Sequence, residues 1–228
     1  MRRPLLLIVL FVCWGSGASG VRAVDVSKPL TLEQVWSLDS TYTDQQHGTT
    51  FRYPSVWKPA MQFGYVPPAL MKLADPYENQ VPQKLIGFAY MEGGFPRDRV
   101  VGPYAATNLE GFGIVYSSLP LASAAECEKK AALLASNSRI DNPGHSSVKI
   151  AGRTFSVYQT GGEAMNQTYT GKLYATYDAG TCYFVEAGIA AALPGVLDHI
   201  HALTPAQVQD INVHLWHIME TVRIARKG

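Results

Sequence analysis

The stretch from Val148 to Ile189 constrains the fold most, because its pattern has a period of two and its turns are short. Val148 to Ile150 turns at Ala151-Gly152 into a strand from Arg153 to Tyr158, and a Gly161-Gly162 loop leads to a strand from Tyr169 to Tyr177. Asp178-Ala179-Gly180 then turns into a strand from Thr181 to Ile189. A period of two sends successive side chains to opposite faces of a sheet, and consecutive strands joined by short turns form an antiparallel meander. In the last strand Cys182 and Phe184 share one face, while Tyr183, Val185 and Ala187 share the other.

Further strands lie upstream. Thr49 to Tyr53 follows a polar turn at Asp44-Gln45-Gln46-His47-Gly48 and ends at Pro54, which has no N–H for a ladder. Leu85 to Glu92 alternates Ile86, Phe88 and Tyr90 with smaller residues, and Phe112, Ile114 and Tyr116 mark a strand ending near Leu119. Between them, Pro59, Pro67, Pro68, Pro76 and Pro82 make 58–84 an irregular excursion with one helical turn expected around Ala69 to Leu73. A second Gly/Pro-rich loop covers 93–111.

Helices are read from their caps. Leu32 to Trp36 suits a short amphipathic turn. Ser123-Ala124-Ala125-Glu126 is a capping box, after which Ala124, Cys127, Ala131 and Leu134 fall on one face, so Cys127 points toward the sheet that this helix covers. Thr204-Pro205-Ala206-Gln207 joins an N-cap threonine, a proline at the first helical position and a capping-box glutamine. Val208, Ile211, Leu215, Ile218 and Val222 form the apolar stripe of that last helix. One antiparallel sheet with amphipathic helices makes an α+β layered domain.

The N-terminus reads as an export signal. A cationic start at Arg2-Arg3 precedes an apolar run from Leu5 to Trp14, then small residues up to Val21-Arg22-Ala23, so residues 1–23 are expected to be cleaved after Ala23. That run covers only about half of a ~30 Å hydrocarbon core. Val12 before Cys13 is a poor fit to a lipoprotein signal. Residues 24–40 then form an N-terminal leader and 41–228 a single domain, secreted or periplasmic, without a transmembrane segment. Of three cysteines, Cys127 and Cys182 remain after cleavage, and an even pair in an oxidising compartment is expected to form a disulfide; the alternatives, a metal pair or a catalytic thiol, lack neighbouring ligands at metal spacing.

Composition excludes several partners. With 47% hydrophobic and 16% charged residues the chain is globular, and loss of Arg2, Arg3 and Arg22 moves the net charge from +1 to −2. A near-neutral surface without basic runs argues against nucleic acid or anionic lipid as the main partner.

The segment Gly48 to Trp57, with Phe51-Arg52-Tyr53-Pro54 and then Trp57, resembles the opening of the PsbP/Mog1/DcrB-like superfamily. The order of a helix, a meander entered at Gly180-Thr181-Cys182-Tyr183, and a terminal helix ending near Ile218-Met219-Glu220-Thr221-Val222 is similar too. The resemblance implies an α/β/α sandwich with a central antiparallel sheet flanked by helices. It implies little about activity, because relatives range from a photosystem II extrinsic subunit to a GTPase-binding protein and bacterial envelope proteins.

Chemistry-bearing motifs are sparse. No nucleophile elbow, Walker loop or HExxH is present in the mature chain, and no cofactor is expected. His199, His201, His214 and His217 invite a weak zinc or copper site, but His214 and His217 do not converge on a helical wheel, so no metal ligand is assigned. Trp216 lies roughly opposite the buried stripe and is expected to be exposed unless the 58–84 loop covers it; with His217 it is the candidate partner contact. Asn166-Gln167-Thr168 is a formal glycosylation sequon in a eukaryotic source. The function expected is that of an exported, non-catalytic binding domain with a protein partner. The alternatives are a hydrolase-like enzyme built on the 58–84 and 93–111 loops, or a metal or small-ligand carrier.

Overall fold

The computed structural model describes residues 29–60, 68–71, 84–91, 102–136, 144–164, 166–193 and 201–225. The expected signal peptide and most of both long loops lie outside the described residues. Thr31 opens α1 (Leu32–Trp36) through a reciprocal capping box with Gln34. In chain order there follow β1 (Ser40–Asp44), β2 (Thr49–Tyr53), β3 (Lys58–Pro59), α2 (Pro68–Met71), β4 (Lys84–Met91), β5 (Leu109–Pro120) and α3 (Ala124–Ser136). The second half holds β6 (His145–Ile150), β7 (Arg153–Ala164), β8 (Gln167–Asp178), β9 (Thr181–Ala192), α4 (Pro205–Met219) and β10 (Arg223–Ile224). Among the described residues no helix is long and apolar enough to cross a membrane.

Seven strands form one antiparallel sheet in the order β3-β4-β5-β9-β8-β7-β6. The meander is present, with tight turns in which Ala151 and Gly152, then Ala179 and Gly180, all have positive φ. That backbone matches the twist of the strands it joins. The strands run longer than the sequence pattern suggests. Gly161 and Gly162 are not a loop but part of β7, paired with Thr170 and Tyr169, and the turn falls at Asn166 with φ 71°. Tertiary pairing overrides the local glycine signal here, because β8 is held over the same residues by β9 on its other side.

A second sheet of three strands, β1-β2-β10, packs above one face of the first. β1 and β10 carry little periodic signal, and β10 exists because Arg223 and Ile224 pair with Thr50 and Thr49 of β2. Within the expected leader, Leu30, Val35 and Trp36 are buried in the core.

Alternation then sorts the side chains. On one face of the large sheet Tyr158, Leu173, Ala175, Cys182 and Phe184 pack with Cys127, Ala131 and Leu134 of α3. Cys127 and Cys182 are disulfide-bonded, Cα atoms 5.4 Å apart, so the bond ties helix to sheet. Glu126 caps α3 one residue away from the expected partner, accepting from Ala122 N–H at 2.9 Å, while its own N–H donates to Ser123 at 3.2 Å. On the other face Phe112, Ile114, Tyr116, Tyr183 and Val185 meet Phe51 of β2 and Ile211, Leu215 and Ile218 of α4. The α4 capping box is as the sequence indicates, and Val208, Ile211, Leu215 and Ile218 of the expected stripe lie on the helix, but α4 ends at Met219, so Val222 is buried beyond it.

Candidate functional site

A groove of about 330 Å³ lies between α4 and the ribbon of β7 and β8. Alternation builds its floor: Gln159 follows Phe155 and Val157 on the α4-facing side of β7, and Thr170 and Lys172 precede Tyr174 on that side of β8. The helix contributes Gln209, Asn212, Val213 and Trp216, which share its sheet-side flank at helical spacing. Trp216 is half-buried, with its ring 6.3 Å from that of Tyr174, and not fully exposed as the helical wheel suggests. The sheet, rather than the 58–84 loop, supplies the cover seen among the described residues. Val213 remains 40% exposed beside it. An indole face, an isopropyl group, amides and one ammonium converge here, which is recognition chemistry.

His217 is exposed on the same helix but does not line the groove. Its ring stands nearly perpendicular to that of His214, centroids 6.0 Å apart, while His214 stacks on Trp36 at 4.6 Å. Burial pulls the His214 pKa down, and Asp210, with Oδ1 at 3.8 Å, pulls against it. His201 joins Thr107 through an isolated bridge and His199 lies outside the described residues. No group of three or more metal-ligating side chains forms among the described residues.

Asp44, His47 and Ser118 form a buried cluster that the sequence pattern presents as a solvated turn and a strand residue. His47 Nδ1 meets Asp44 Oδ2 at 2.8 Å and Ser118 Oγ at 3.5 Å. A hydrolytic triad needs the carboxylate and the hydroxyl on opposite ring nitrogens, whereas here both meet Nδ1. Tyr116 O–H completes the cluster, reaching Asp44 Oδ2 and Thr49 Oγ1, both at 3.1 Å. These bonds pin the β1–β2 hairpin to β5. Burial pushes the Asp44 carboxyl up, but hydrogen bonds from His47 and Tyr116, attraction to His47 and the Gln46 N–H outweigh it and hold the pKa below the ordinary value. A depressed carboxyl contributes stability above its unfolded pKa of about 3.9 and loses it as pH falls through the folded value. Asp44→Asn is therefore expected to lower stability at neutral pH by about 1–3 kcal/mol and to flatten the acid limb below pH 4. Urea unfolding across that range measures both.

Glu186 is a second buried acid, wholly inaccessible on the α3-facing side of β9. Its Oε2 accepts from Leu70 N–H of α2 at 3.1 Å. Burial drives its pKa up to about 7, against hydrogen bonds from Thr160, the Leu70 and Ala69 amides, and Tyr169. Those hydroxyls adjoin it, yet Glu186 Oε1 and Thr160 Oγ1 close no hydrogen bond of ordinary geometry. The alternation that puts Cys182 and Phe184 on one face puts Glu186 there too; that was the available signal for a carboxyl under a helical layer.

No family model and no curated protein matches the chain. Among solved structures it is similar to the Ran-binding protein Mog1p of Saccharomyces cerevisiae, at 10% identity over 82% of this chain and 95% of that chain, with a TM-score of 0.43. No residue role comes to this chain from that likeness.

Proposed function

We propose that this chain is an exported, non-catalytic accessory domain of the PsbP/Mog1-like α/β/α kind, which binds a protein partner through the groove between α4 and the β7–β8 ribbon. The observation that carries this reading is the placement of Trp216 and Val213 among amides and Lys172 along one open groove. A half-buried tryptophan is pre-ordered by its contact with Tyr174, so little side-chain freedom is lost when a partner covers it. The export reading rests on residues 1–23 and fits the Cys127–Cys182 bond, a linkage favoured in oxidising compartments.

The test uses the exported chain as bait, its intact mass expected to begin at Val24, against the native envelope and secreted fractions. Trp216→Ala is expected to weaken capture of a specific protein by about 2 kcal/mol, roughly thirtyfold in Kd, with Lys172→Glu weakening it as well. Retention of the same partner by a folded Trp216→Ala variant contradicts the groove assignment. Turnover of a substrate by the pure protein contradicts the non-catalytic reading.

A further inference from the structure

Glu186 and α2 present an arrangement that the partner-binding reading does not use, on the opposite face of the sheet from the groove. Ala69 and Leu70 are fully buried and pack in the cluster that holds Ala89, Val115, Leu134 and Ala135. Their amides are the hydrogen-bond donors that α2 offers to the Glu186 carboxyl. Among the described residues, the other walls that touch it bring apolar side chains and hydroxyls. Its strand neighbours are Val115 on β5 and Leu173 on β8, β7 brings the Thr160 hydroxyl, β8 the Tyr169 phenol, and the α3 residues of the cluster are apolar. The tyrosine ring is itself held in place over Gly171 and Gly188. A Cβ at Gly188 would come within 2.6 Å of Thr170 O, a backbone atom that cannot swing away. The layer over this carboxyl thus includes a four-residue helix bonded to it through the main chain.

We propose that Glu186 and α2 form a proton-controlled latch, in which the neutral carboxyl keeps Pro68–Met71 docked on the sheet and its ionisation favours release of that segment. Release admits water, which returns the carboxyl from its docked pKa of about 7 toward its ordinary 4.5. A group whose pKa is raised in the docked state supports docking fully below the ordinary value. It loses that support as pH rises through the docked value, and the effect levels off above it.

Amide hydrogen exchange at Ala69 and Leu70, in the full chain and corrected for intrinsic rates, reads the latch. Between pH 5 and pH 8 the opening constant of the wild type is expected to rise about seventyfold, the ratio set by titration at 4.5 and about 7. In Glu186→Gln, which keeps an acceptor oxygen and cannot ionise, it is expected to stay flat. A flat wild type, or the same rise in the glutamine variant, overturns the proposal. So does exchange of these two amides only in step with those of β9, since that makes α2 part of the global unit. Should Glu186→Gln fail to fold, the carboxyl carbon shift of Glu186 in the wild type decides: a midpoint near 7 supports the latch and one near 4.5 overturns it. None of these readouts involves a partner, so failure here leaves the groove reading standing.

Discussion

Replacing both Cys127 and Cys182 with alanine is expected to lower stability by about 4 kcal/mol, much of what a domain of this size has in hand. The bond closes a loop with a sequence separation of 55 residues, and that length sets the entropy removed from the unfolded chain at roughly 14 cal/mol/K. The loop contains the rest of α3, β6, β7 and β8, so the cross-link restrains most of the α3-side layer before any of it has paired. Both positions are almost inaccessible, and alanine there leaves no unpartnered hydroxyl, so the comparison isolates the cross-link plus a small void. Urea unfolding of the oxidised wild type and the double variant gives the difference. A change under about 1 kcal/mol would mean that the unfolded chain is already restrained over this loop.

Phe112→Ala is expected to be equally damaging, about 4 kcal/mol, for a different reason. Phe112 is fully buried at the centre of the aromatic layer between the sheet and α1. Its ring stacks on Trp36 at 4.3 Å and on Tyr90 at 5.1 Å, and meets the edges of Trp57 at 5.6 Å and Tyr104 at 5.8 Å. Truncation removes the ring's transfer energy and leaves a void that two indoles border, with α1 resting on it. Near-ultraviolet circular dichroism should lose its tryptophan bands along with the fall in the urea midpoint. Phe112→Leu should lose much less, because most of the volume is kept. An alanine variant within 1 kcal/mol of wild type would show that α1 is not held by this layer.

Where the chain carries its own instructions locally, the fold was legible. Thr204, Pro205 and Gln207 announce α4 because a cap is satisfied within one turn. Ala151-Gly152 and Ala179-Gly180 announce hairpins because the turn geometry is set by two residues. The cysteine pairing was legible from the even pair left after the expected cleavage and from the faces that Cys127 and Cys182 take. Long-range partners were not. Asp44 and His47 look like a solvated turn until Tyr116, separated from Asp44 by 72 positions, closes on them. Gly161 and Gly162 look like a loop until β8 pairs with them. The groove shows the same division: the sequence puts Trp216 off the buried stripe, but Gln159, Thr170 and Lys172 reach it only because β7 and β8 lie beneath α4.

The central claim is that the α4 face, not the α3 face, meets the partner. Both faces carry an exposed apolar side chain of similar prominence, Val213 at 40% and Leu133 at 50% exposure, so apolarity alone does not choose between them. A photo-crosslinking residue placed at either position of the full chain, in its native setting, measures the choice directly. The groove reading predicts an adduct with one defined protein from Val213, lost when Trp216→Ala is added, and none from Leu133. An adduct from Leu133 with none from Val213 would contradict it.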